Sequence, residues 1–334
     1  MEVKKANGRD TILDVTRTLC ILWIVGYWHM ASYIQDDFFR MYLWDVKHMK
    51  YITICVLSTF TFLSGYFLKK YQINTQSDFM HFYKRRLQRF WIPFFISALT
   101  LHVASLAIHQ PWFHSHWHFL ATVLGVSIFT PPSPGTIWYI SMLMTFYMIT
   151  PFILYLKSIW RKLFVSVILV IGMDILVAEF DLNIRVTYYL PVYLASLLIP
   201  SSWIKKVKNM WPILQSLLLM ILFLTIYAIQ INWITIVVSL IIGPVCLISI
   251  SQFLDGFPVI RKFSDVVSYS SMNMYLFHRH IYMILVLLFS LCGIGSFHGM
   301  KSSFWLLLFI ALPIVILLSF YLQRMYDKVC KRFS

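Results

Sequence analysis

Apolar residues come along this chain in runs of about twenty, parted by short polar stretches. A helix rises 1.5 Å per residue, so crossing a ~30 Å hydrocarbon core takes roughly 20 residues. On that measure the pattern predicts ten spans, near 15–34, 49–68, 90–109, 136–156, 163–179, 187–200, 211–228, 232–250, 268–291 and 303–323. The sixth run is short and bounded by Pro191 and Pro200. One further run, 117–129, is too short to cross and leads into Pro131-Pro132-Ser133-Pro134-Gly135. It is predicted to be an interfacial or re-entrant helix. The expected fold is all-α, a single polytopic membrane domain of about ten transmembrane helices.

The polar stretches test that count. Basic clusters recur on alternate sides, starting at Lys4, Lys5 and Arg9 and ending at Arg324, Lys328, Lys331 and Arg332. Taken together, 21 of the 28 basic residues fall on the side of the N-terminus and five on the other. Positive residues favour the cytoplasmic face, so both termini are predicted to be cytoplasmic. One missed span would scramble the split.

Composition agrees. Hydrophobic residues make up 60% of the 334 and charged ones 12%, where soluble domains carry roughly 45–50% and about 25%. The net charge of +15 lies in short clusters between apolar runs, not in a patch interleaved with stacking aromatics, which argues against nucleic acid. The five cysteines show no ligand spacing and read as buried inert thiols. The first run lacks a cleavage site and reads as a retained span, not a signal peptide.

Ionisable groups at membrane depth are costly and mark candidate sites. Asp14-Val-Thr-Arg17 opens the first span, and His29 lies 12 residues, about 18 Å, further along it. A neutral imidazole there can serve as base or nucleophile; the alternative is a histidine bonded to a backbone carbonyl. Lys84, Arg85, Arg86 and Arg89 stand at the start of the third span. They suit either an anchor on lipid headgroups or a clamp for a phosphorylated ligand, with Arg86 and Arg89 on one helix face. Half-way through the ninth span come Tyr275, His278, Arg279 and His280, with Asp174 a candidate ion partner for Arg279. The outer histidines His109, His114, His116 and His118 have poor geometry for zinc and read as an aromatic, histidine-rich belt. No metal is expected.

Together these residues resemble the acyltransferase 3 family of integral membrane O-acyltransferases, over nearly the whole chain. The resemblance rests on Asp14-x-x-Arg17 with His29, Phe62-Leu-Ser64-Gly65-Tyr66-Phe, Arg85-Arg86-x-x-Arg89-x-x-x-Pro93, Trp138-Tyr139 with Tyr147 and Pro151, and Ser270 with Tyr275-Leu-Phe-His278. It implies transfer of an acyl group, usually acetyl, from cytoplasmic acyl-CoA to a hydroxyl on a sugar or lipid-linked glycan. His29 then resembles the catalytic histidine, and Arg17, Arg86 and Arg89, with Arg85, resemble the residues facing the coenzyme. One departure stands out. The family usually has ten residues between this arginine and histidine; here there are eleven. In a regular helix His29 would fall about 120° away from Arg17. The first span is therefore predicted to absorb one residue in a π-bulge near Gly26.

On this reading His29 acts as general base toward the acceptor hydroxyl, an acyl-histidine intermediate being the variant. His278 and Tyr275 would orient the acceptor or donate to the oxyanion. Trp138 and Tyr139 suit stacking on a sugar ring or an aromatic belt, and Asp14 and Arg279 complete the acceptor-binding candidates. No soluble tail follows the tenth span, which favours an acceptor that comes to the membrane itself. The rivals are an exporter or flippase of polysaccharide repeat units, for which inverted repeats would speak, and a structural or sensory subunit, which gives no reason for His29, His278 and Arg279 at depth.

Overall fold

All ten predicted spans are helical over nearly all of their described residues in the computed structural model, and no strand forms among those residues. The structure describes residues 10–35, 46–107, 115–130, 136–200, 202–210, 212–227, 232–296, 299–300 and 304–332. In chain order the helices are α1 (Thr11–Trp23), α2 (Val46–Leu68), α3 (Gln76–Arg86), α4 (Ile92–Ala107), α5 (His116–Val123), α6 (Trp138–Tyr155) and α7 (Ile159–Phe180). They continue with α8 (Arg185–Leu198), α9 (Ser202–Lys208), α10 (Pro212–Tyr227), α11 (Asn232–Asp255), α12 (Pro258–Leu291), α13 (Phe304–Leu306) and α14 (Leu312–Arg332). π-turns at Ile24–His29, Leu87–Trp91 and Leu307–Ala311 extend α1 and join α3 to α4 and α13 to α14.

Seven described helices are long and apolar enough to cross a membrane. The other three predicted spans fall on α4, α8 and α10, of 16, 14 and 16 residues. Over their described residues these rise about 21–24 Å, and the π-turn at Leu87–Trp91 continues α4 back into α3. Prolines mislead as boundaries here: Pro191 lies inside α8, and α11 runs unbroken through Pro244. Membrane helices tolerate such prolines because neighbours satisfy the freed backbone groups. Conversely, α12 begins about ten residues before its apolar run, with Pro258 in the first turn, where a missing N–H costs nothing.

The chain divides into two units, residues 1–60 with 201–334, and residues 61–200. In the first, α12 packs against α1 and α14, and α1 also against α11. Gly243 lets α11 approach α2 closely: a Cβ there would lie 2.9 Å from Cys55 Cα. Beside that contact the Ser58 hydroxyl donates to the Leu240 carbonyl at 2.7 Å. Past the end of α1, Met300 N–H donates to Tyr33 O at 3.0 Å and Met300 O accepts from Gln35 N–H at 2.8 Å.

In the second unit, α3 opens on a capping box. The Thr75 hydroxyl accepts from the Asp78 amide while the Asp78 carboxylate accepts from Thr75 N–H. Backbone amides of Asn74 and Thr75 hold that carboxyl below the usual carboxylate range. The short run 117–129 becomes α5, a left-handed Gly125 and a single 3-10 turn. Trp91 Nε1 donates to Val123 O at 2.8 Å, Ser127 meets Ser141 at 3.1 Å, and a Cβ on Gly125 would lie 2.8 Å from Met144. The segment therefore folds back against α4 and α6.

Candidate active site

Asp14, Arg17 and His29 come from α1 and its π-turn; Ser268, Tyr275, His278 and Tyr282 come from α12. The π-turn at Ile24–His29 contains Gly26, where the spacing predicts it. Its wider i→i+5 bonding takes up one residue, and the outcome is direct. Arg17 and His29 both reach α12, Arg17 Nη1 donating to Ser268 Oγ at 3.3 Å and His29 Nδ1 lying 2.8 Å from His278 Nε2. Two contacts hold the turn. The Tyr282 hydroxyl donates to Val25 O at 3.1 Å, and Gly26 packs so close to Leu312 that a Cβ would come within 2.8 Å of it. Tyr282→Phe leaves that buried carbonyl short of a donor and should lower unfolding stability by about 1–2 kcal/mol. Denaturation in detergent measures it; an unchanged midpoint would show that the turn stands without Tyr282.

The two imidazoles fix each other's protons. His278 is fully buried, and its Nδ1 lies 2.8 Å from Tyr275 O and 3.0 Å from Met274 O. A carbonyl only accepts, so this nitrogen carries the proton and Nε2 of the neutral ring presents a lone pair. His29 Nδ1 must then donate to it. The bare nitrogen of a neutral His29 is Nε2, which has no hydrogen-bond partner among the described residues. The ring planes lie within 3° with centroids 4.8 Å apart. Set beside the 2.8 Å nitrogen contact, this is an edge-to-edge, in-plane hydrogen bond, not a stack of faces. The Tyr275 ring stands edge-on to both imidazoles, 6.1 Å from each. Both His278 nitrogens are thus committed, which leaves it no donor for an oxyanion.

At the two ends of this row sit the cations. Ser268 Oγ donates to Asp14 Oδ1 at 2.6 Å while accepting from Arg17, so Asp14 and Arg17 share one hydroxyl between α1 and α12. Arg279 donates to Ser32 Oγ at 2.6 Å, Ser32 donates to His29 O, and the guanidinium lies 5.3 Å over the Tyr33 ring. Arg279 thus meets a hydroxyl and an aromatic face within the first unit, and Asp174, offered as its ion partner, lies exposed on α7. Ser268, Tyr282 and Ser32 were not singled out by sequence. The first two were readable: 268, 275, 278 and 282 repeat at intervals of seven, three and four, one face of a helix.

The second unit holds the other candidates. Arg86 is half-buried among Tyr71, Phe82, Phe90 and Tyr147, its guanidinium 5.4–5.9 Å from each ring centre. Its Nη2 donates to the Tyr71 hydroxyl at 3.0 Å. Burial alone would raise the Tyr71 phenol, but Arg86 and Arg85 outweigh it and hold the group below its ordinary value. Arg86 lines a cavity of about 870 Å³; Arg85 and Arg89 do not, and both are exposed. Arg86 is drawn into its ring cage while Arg89 is exposed, and the π-turn at Leu87–Trp91 begins between them. Trp138 and Tyr139 are 8% and 3% exposed. Arg185 sits 4.5 Å over the Trp138 ring and Thr61 meets the Tyr139 hydroxyl, so neither presents an open stacking face. Of the outer histidines, His116 is exposed and His118 buried on α5, while His109 and His114 lie outside the described residues.

A family model described as an acyltransferase domain matches residues 10–324. No curated relative and no solved structure matches the chain significantly. The matched span starts at the α1 residues that carry Asp14, Arg17 and His29 and runs through α12 into α14. With that coverage of an all-α chain rich in membrane-length helices, the protein belongs to the acyltransferase 3 family and is a membrane acyltransferase.

Proposed function

We propose that the protein transfers a short acyl group, acetyl first, from acyl-CoA to a hydroxyl of a cell-surface polysaccharide or lipid-linked glycan. It would work in the cell membrane with both termini cytoplasmic. The observation that carries the reading is the proton order of the histidine pair, which leaves Nε2 of His29 as a base. In the step proposed, Nε2 takes the acceptor hydroxyl's proton as its oxygen attacks the thioester carbon. The tetrahedral adduct collapses, the carbon–sulfur bond breaks, and the departing thiolate recovers the proton from His29. His278 is a positioning residue: its lone pair accepts from Nδ1–H of His29, a bond that strengthens when the ring becomes a cation. Tyr275 stands beside both rings and is proposed to bound the acceptor.

In the first unit Arg17 is assigned to the donor's phosphates; in the second unit the exposed Arg85 and Arg89, beside the caged Arg86, are proposed as anion-facing residues in their own right. About 18 Å of helix rise parts Arg17 from His29, a reach suited to a thioester arm entering from the basic side. Asp14 and Arg279 border the same row. Trp138 and Tyr139, packed as they are within the second unit, are not proposed as a stacking platform.

The test uses membranes holding the protein and radiolabelled acetyl-CoA. Label is expected in the glycan fraction, dependent on the protein. Glycan that moves across the membrane without acquiring label would replace the enzyme reading with export.

A further inference from the structure

The cavity beside Arg86 has features that a donor nucleotide does not explain. Its walls are mostly apolar and aromatic, from Phe90, Trp91 and Phe129 among others. Its rim is formed by side chains that are themselves widely exposed: Met80 67%, Leu87 53%, Leu124 58% and Met148 59%. Such an exposed apolar rim suits the hydrocarbon chain of a lipid better than a nucleotide. Volumes of about 300–1,000 Å³ are usual for sites that enclose a ligand, and 870 Å³ falls in that range.

Three basic side chains, His81, Lys84 and Arg86, line this apolar space, and no acidic residue does. Arg86 has its faces on rings and one nitrogen on Tyr71, yet its Nε is buried with no hydrogen-bond partner among the described residues. A buried guanidinium nitrogen left unpaired is costly. A guanidinium in such surroundings pairs best with a phosphate oxygen. The ligand that meets both demands is amphiphilic, with one anionic phosphate and at least one hydrocarbon chain.

We propose that this cavity binds an anionic phospholipid, one whose headgroup carries no cation of its own, with its phosphate on Arg86 and Lys84 and its chain between the α3–α4 π-turn and the turn at Gly125. The site lies wholly within residues 77–148 and does not depend on the acyl-transfer reading. It separates Arg86 from Arg85 and Arg89: the exposed pair can serve a soluble anion, the caged one a membrane-borne anion.

The full chain, purified in detergent and offered phosphatidylglycerol or phosphatidylcholine, provides the test through native mass spectrometry. One phosphatidylglycerol per chain should be retained, at least fivefold over phosphatidylcholine. Arg86→Gln should reduce retention about tenfold, and Arg86→Lys, which keeps the charge but not the guanidinium, should recover it only in part. Leu124→Trp, which fills the rim and leaves every cation in place, should also expel the lipid. Equal retention of both lipids, or retention untouched by Arg86→Gln and Leu124→Trp, would overturn the proposal. Displacement of the lipid by micromolar coenzyme A would overturn it too, assigning the cavity to the donor. Acyl transfer is judged separately through His29, so the two readings fail separately.

Discussion

His29→Ala is expected to abolish acyl transfer while the protein remains at its normal level in the membrane. The substitution removes the nitrogen proposed to take the acceptor's proton, and general-base catalysis is worth about 100- to 10,000-fold. A fall of at least about 100-fold in label transferred from acetyl-CoA to glycan is the expected reading. Folding should suffer less, because His29 sits in a turn held by Tyr282 and Leu312 rather than by its own ring. Unchanged transfer would remove His29 from the chemistry. His278→Gln sharpens the result. It takes away the imidazole whose protonated Nδ1 and bare Nε2 set the His29 tautomer. The rate constant should then drop with the donor KM nearly unchanged, and the rate should depend on pH differently from wild type. A merely structural His278 would lower the yield of protein and leave the pH profile alone.

The geometry behind this prediction was partly legible in the sequence. Eleven residues between Arg17 and His29 cannot keep both on one face of a regular helix, and the structure answers with a π-turn around Gly26. The residue count demanded it once the family resemblance required the two side chains to share a face, because angle per residue is fixed by helix geometry. The second π-turn, Leu87–Trp91, was not legible. No pair of residues flanking it carried a known requirement to share a face, so i, i+3 spacing read as a common surface for Arg86 and Arg89. The caged state of Arg86 was hidden for a related reason. Tyr71 and Tyr147 are remote in sequence and meet it only through tertiary packing. Span lengths were legible to within a few residues from apolar runs. Helix continuity past the runs was not, since α12 starts in a polar stretch whose only signal is Pro258 in its first turn. Pro191 showed the converse error, a breaker by propensity that sits inside a helix because its neighbours pack it there.

Gly65→Ala is expected to cost the second unit its packing, although it adds one methyl group. A Cβ at this position would stand 1.9 Å from Ser196 Oγ and 2.9 Å from Tyr193 O. The first clash can be relieved by turning the serine, at the expense of its 2.6 Å bond to Tyr193 O. The second cannot, because the obstructing atom is backbone. The helices must separate, and the loss spreads along one face of α2 at i−4 and i+4. Thr61 there meets the Tyr139 hydroxyl at 3.0 Å, and Lys69 donates to Ile199 O at 2.8 Å beyond the end of α8. Overpacking of this kind costs about 1–3 kcal/mol and at times more; with backbone as the obstacle the upper end is expected. Thermal unfolding in detergent should show a clear fall in midpoint for Gly65→Ala and a larger one for Gly65→Val. The double variant Gly65→Ala with Ser196→Ala should recover only part of the loss, since Tyr193 O still blocks the way. Full recovery would show that the serine hydroxyl alone sets the contact, and an unchanged midpoint in the single variant would show that α2 and α8 are not held this close.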